Sequence, residues 1–109
     1  MDITTPRQIG KSSMKVTPLG LGCGPIGITD VNNPTSMATV DSAWNTGVRF
    51  FDTAPWYGLG MSERRLGLAL TGKSDRSSYQ INTKVGKSLV AEPFRNDKNL
   101  TSVGVLAAP

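Results

Sequence analysis

The 109-residue sequence contains no histidine and one cysteine, Cys23. A single thiol excludes an intrachain disulfide, and the usual cysteine and histidine ligand sets for zinc cannot be assembled. Long apolar runs are missing as well. None approaches the roughly 18 residues needed to span a bilayer, and the opening MDITTPRQIG has no apolar centre of the kind a secretory leader carries. A cytoplasmic location and no membrane partner are the expectations. Twelve Lys and Arg against eight Asp and Glu give a net charge of +4. These cations are scattered from Arg7 to Lys98 rather than gathered into a stripe, which argues against a nucleic-acid partner. The length allows one small domain with a core and excludes large enzyme architectures.

What is present is a rhythm of short extended runs and helical stretches. MKVTPLGLG reads as an extended piece leading into a strand, interrupted by Pro18 and ended by the glycines from Gly20 onward. NNPTSMATVDSAWNTG reads as a helix, with Asn33 as its cap and Pro34 in its first turn. Met37, Val40, Ala43 and Trp44 fall at helical spacing, and Gly47 stops the helix. VRFFDTA is a nearly continuous β-branched and aromatic run, the pattern of a strand covered on both faces, and Asp52 interrupts it near its end. Ser62 is the expected cap of a second helix, with Met61 and Leu66 forming a hydrophobic staple and Leu66, Ala69 and Leu70 its buried face. Gly72 ends it. YQINTKVG reads as a third strand, with Gln80, Asn82 and Lys84 on one face. Strand, helix, strand, helix, strand makes two right-handed crossovers and hence a parallel α/β sheet, with chemistry at the C-terminal strand ends. From residue 88 to 109 the periodicity fades, although Val103 to Ala108 is a candidate start of a further element.

GCGPIG at positions 22 to 27 matches the spacing of a dinucleotide-binding loop, but that motif needs a helix to open at once. Here ITDVNNPT intervenes, so the alternatives are a turn after the first strand or a rim where backbone approaches a ligand. Cys23 reads as a small rim residue rather than a nucleophile, because no neighbouring base or cation activates it. The parallel sheet brings Asp52, Tyr57 and Lys84 to one edge. A tyrosine ordinarily titrates near pH 10, and an adjacent ammonium favours its phenolate, so Lys84 can tune Tyr57 while Asp52 holds Lys84. Singly, each has a plainer reading: a loop cap, a surface aromatic and a solvated lysine.

KVTPLGLGCG, GVRFFDTAPWYGLGMSERRLGLAL and INTKVG resemble, in order and spacing, the opening motifs of the aldo-keto reductases. They are closest to the branch of the L-fucose and D-threo-aldose 1-dehydrogenases. The resemblance covers roughly residues 14 to 87. It implies the N-terminal part of a (β/α)8 TIM barrel, incomplete with about three strands and two helices, so that residues 1–109 form a partial oxidoreductase domain. It implies NADP or NAD as cofactor and a small carbonyl or sugar as substrate. Asp52, Tyr57 and Lys84 would be three members of a catalytic tetrad. Gly22, Cys23 and Gly24 would line the cofactor rim, with Asp52 also near the cofactor, and no metal is implied. Trp56 would face substrate or, equally, pack against the loop that follows it. Two departures stand against an active enzyme. The fourth tetrad member is a histidine, which this sequence lacks, and a (β/α)8 barrel takes about 250 residues. The alternative is therefore a noncatalytic fragment or binding module, self-associating through an open barrel edge that leaves Val48, Phe50 and Phe51 uncovered.

Overall fold

The structure, a computed structural model, describes residues 1–89 and 105–107, with side chains through Gly86. Its centre is a parallel three-stranded sheet of Leu21–Gly22 (β3), Phe50–Asp52 (β4) and Gln80–Asn82 (β5), in that spatial order. The expected extended piece divides in two. Lys15–Val16 (β2) turns back in an antiparallel pair with Arg7–Gln8 (β1). The strand that joins the main sheet is Leu21–Gly22, inside the glycine-rich stretch expected to end it. Pro18 separates the two pieces, as a residue without a backbone N–H should. The expected irregular tail lies largely outside the described residues. Within it, Val105–Ala107 (β7) pairs antiparallel with Lys87–Leu89 (β6).

Asn33–Thr46 (α1) and Met61–Leu70 (α2) connect the sheet strands and pack side by side on one of its faces. The cap of α1 is Asn32, not Asn33: its side chain accepts a hydrogen bond from the Thr35 N–H at 2.8 Å. Asn33 is instead drawn toward Arg65. Gly47 closes the helix at φ 105°, a left-handed conformation that favours glycine. In α2 the expected Ser62 cap is also corrected. The helix is entered through Gly58, Leu59 and Gly60, all at positive φ, with Gly60 as the capping residue. Entry through that left-handed run turns Ser62 inward, and its hydroxyl is used elsewhere.

The core lies between sheet and helices. Phe51, Val40, Leu66, Leu70 and Cys23 are fully buried there with Tyr79, which meets Trp44 and Phe51 edge to face at 5.8 and 6.4 Å. Burying Phe51, Leu66 and Leu70 stabilises the fold by about 2 kcal/mol apiece. The expectation that Val48 and Phe51 stand uncovered was wrong. They are 3% and 0% exposed, because the two helices cover that face, whereas Phe50 on the opposite side is only half-buried. Among the described residues β3 and β5 each pair on one side only. No described helix is long and apolar enough to cross a membrane.

Candidate active site

The parallel register puts Gly22, Asp52 and Asn82 in one row across the C-terminal edge of the sheet. The ladder continues past the assigned strands, with Cys23 N donating to Asp52 O and Thr53 N to Asn82 O, each at 2.8 Å. Above this row the three residues singled out as a relay come together. Lys84 lies two residues beyond β5 rather than within it. From there its Nζ donates to both carboxylate oxygens of Asp52 at 3.2 Å and to the Thr53 carbonyl at 2.8 Å. The same ammonium stands over the Tyr57 ring, 5.0 Å from its centroid. Asn82 Nδ2 donates closely to Asp52 Oδ1.

These contacts set the charges. Asn82, and after it Lys84, hold the Asp52 carboxyl below its ordinary range against a smaller cost of desolvation. For Lys84, partial desolvation works against the charged form. Asp52 and then Tyr57 outweigh it and move the ammonium above its ordinary range. A depressed carboxyl contributes stability that is present above its unfolded value and is lost as pH falls through the folded one. A raised ammonium contributes below its unfolded value and loses that contribution as pH rises through the folded one. The melting temperature of the parent minus that of Lys84→Met should therefore reach a plateau between about pH 4 and pH 10 and shrink at both ends. With Lys84 and Asp52 47% and 37% exposed, water keeps the plateau low. A difference that does not change with pH would disconnect the pair from folding.

Beside the cluster is an open pocket of about 390 Å³, walled by Ala54 to Tyr57 on one side and Lys84 to Gly86 on the other. Trp56 contributes to that wall and is 58% exposed. The glycine-rich segment runs beside Asp52 and Tyr57. An added methyl at Gly22 would meet no atom within 4 Å, so the floor beside Asp52 is open there, and one at Gly24 would lie 3.9 Å from the Tyr57 ring. Gly27 behaves differently. A methyl there would come within 2.6 Å of Tyr57 O, and one at Gly58 within 1.9 Å of Gly27 O. The third glycine of the apparent dinucleotide motif thus lets two backbones touch. Cys23 is fully buried, and burial together with the Asp52 charge pushes its thiol up to about 11. With the thiol inward and unreactive, any part Cys23 has at the rim comes from its backbone course.

Two supporting groups are not apparent from motif spacing. Ser62 Oγ donates to Cys23 O at 2.6 Å and shares a 2.8 Å hydrogen bond with Thr53 Oγ1, tying the ends of β3 and β4 to the start of α2. Arg65, 5% exposed, donates to the carbonyls of Ile26, Ile28 and Val31 and to Asn33 Oδ1 at 2.7 to 3.1 Å. It pins the β3–α1 connection against α2. The signal for Arg65 was available: Ser62, Arg65, Leu66 and Ala69 follow the i, i+3, i+4, i+7 spacing of one helical face.

Residues 18–104 match the aldo/keto reductase family. Pyridoxal 4-dehydrogenase of Microbacterium luteolum is 39% identical over 88 residues, covering 79% of this chain and 25% of that protein. D-threo-aldose 1-dehydrogenase of a Pseudomonas species is 35% identical over 99 residues, covering 89% of this chain and 30% of that protein. In structure, the chain resembles the holo form of an aldo-keto reductase from Bacillus halodurans. The TM-score is 0.70 at 29% identity, over 95% of this chain and 30% of the other. The chain thus spans about a quarter to a third of the length of these relatives.

Proposed function

The chain belongs to the aldo/keto reductase family, and from that premise we propose that it carries the proton-transfer part of a nicotinamide-dependent oxidoreductase acting on a sugar aldehyde, lactol or similar small carbonyl compound. The architecture proposed for it is the first portion of a (β/α)8 barrel. The observation that carries this reading is the meeting of Asp52, Lys84 and Tyr57 beside an open pocket. Tyr57 Oη gives a proton to the substrate oxygen during reduction and takes it back during oxidation. Lys84 stands by as a fixed positive charge over the ring, and Asp52 with Thr53 O holds that charge in place. Trp56 forms an aromatic side of the pocket that limits water around the reacting carbon.

The pocket has room for a nicotinamide ring, and Gly22 leaves open space beside Asp52, so the residues present fit that end of NAD or NADP. When bound, the cofactor supplies or accepts the hydride. Gly22 and Gly24 would border it through their backbone, with Asp52 alongside. The packed Gly27 offers no comparable space for the diphosphate.

A second reading is favoured by two observations: the sequence has no histidine, and β3 and β5 each have an unpaired side among the described residues. On that reading the chain is a noncatalytic module that associates through its sheet edges, with itself or with another chain. Titration of NADH and NADPH fluorescence with the 109-residue chain separates the two. Saturable binding lost in Lys84→Met supports the oxidoreductase reading, and no binding up to millimolar cofactor supports the module.

A further inference from the structure

We propose that Asn82 is a positioning residue of the site, acting as a one-sided lock that keeps the Asp52 carboxylate turned toward Lys84. The cross-strand row explains why a lock is needed. On one side of Asp52 stands Gly22, where even an added methyl would meet nothing within 4 Å. On the other stands Asn82, in register on β5 and donating its amide to Oδ1. A little over a third exposed and bordered by open space, the carboxylate has other staggered rotamers available, including those that swing it over Gly22 and away from Lys84. The amide removes that freedom. With Oδ1 held, the lysine can engage both oxygens and Thr53 O together, and the ammonium stays over the Tyr57 ring. The register fixes Asn82 because Thr53 N donates to its carbonyl, so its backbone position is set by the sheet ladder.

Among the described residues, Lys84 acts on Asp52 directly, Tyr57 acts on Lys84, and the Asp52 charge reaches the buried Cys23 thiol. Asn82 itself is uncharged, so its effect is separable from theirs. The inference rests on the reading of this cluster as a proton-transfer site, but its test reads the contact itself.

Infrared titration of the 109-residue chain, with aspartate carbon-labelled and the spectrum of Asp52→Asn in the same background subtracted, follows Asp52 in the parent and in Asn82→Leu, and the coupled carboxylate pair in Asn82→Asp, whatever the association state. The expected order of Asp52 midpoints is parent lowest, Asn82→Leu higher and Asn82→Asp highest. Leu removes the donor at similar volume, and Asp replaces it with a second carboxylate. A merely structural role would alter melting temperature without producing that order. An Asn82→Leu midpoint equal to the parent's overturns the proposal. If Asn82→Leu does not fold, the nearly isosteric Asn82→Asp decides: an unchanged midpoint there overturns it equally. An inactive chain that shows the expected order leaves the lock standing while removing the catalytic reading.

Discussion

Tyr57→Phe, introduced into a full-length aldo/keto reductase carrying this segment, is expected to lower turnover by roughly 100-fold or more while leaving cofactor affinity near its parent value. The change deletes one oxygen. The ring that walls the pocket and lies under Lys84 stays, so packing and the cation's seat over the aromatic face survive. What is lost, on the proposed reading, is the hydroxyl that exchanges a proton with the substrate oxygen. Steady-state rates with nicotinamide fluorescence titration check both halves. Near-parent turnover would remove Tyr57 from the chemistry. Equal loss of turnover and of cofactor affinity would mark it as a residue of the binding wall.

The largest expected effect on stability belongs to Arg65. Arg65→Met keeps much of the apolar stem and deletes a guanidinium whose hydrogen bonds go to three carbonyls and one side-chain amide. Ile26 O still receives Ser36 Oγ at 3.2 Å, which tempers the loss there. An unsatisfied buried acceptor costs about 1 to 3 kcal/mol, but the acceptors of Ile28, Val31 and Asn33 lie on exposed or partly exposed residues and can take water instead, so a net loss of about 2 kcal/mol is expected. Denaturant unfolding monitored by tryptophan fluorescence measures it. Arg65→Lys should restore only part, because a single ammonium cannot reach in the planar, forked directions that a guanidinium spans. A change below 1 kcal/mol would mean that the β3–α1 connection holds itself in place.

The contrast between Tyr57 and Arg65 shows what was legible in the sequence. Asp52, Tyr57 and Lys84 could be read because strand periodicity counts residues to a strand end, and parallel strands finish at the same edge. The parallel order β3-β4-β5 and the buried stripe Leu66, Ala69 and Leu70 followed from the same periodicities. Capping positions did not. Asn32 and Asn33 are chemically equivalent candidates, and backbone direction chose between them. Ser62 has the right chemistry for a cap but faces inward because Gly58, Leu59 and Gly60 bring the chain in through left-handed geometry. Leu59 at φ 53° carries no such preference in its side chain, and its conformation is held by the turn's backbone hydrogen bonds, Leu59 N to Trp56 O and Gly60 N to Pro55 O. Arg65 falls on the buried face by spacing, but its residue type argues the other way. A charge in SERRLG ordinarily faces water, and only the distant carbonyls of residues 26 to 31 make an inward arginine favourable.

The contact between Gly27 and Gly58 has a consequence for anyone building chimeras from relatives of this chain. A donor segment that brings a side chain to either position collides with the recipient's backbone, so the two loops form one heritable block although 31 positions separate them. Arg65 and its carbonyl partners belong to that block. Crossovers placed between Gly27 and Gly58 would therefore split matched surfaces. A seam at the turn from Gly72 to Ser78, after α2 has ended, leaves that block whole, but the segment joined there must still supply Tyr79 to meet Trp44 and Phe51, and Asn82 and Lys84 to meet Asp52.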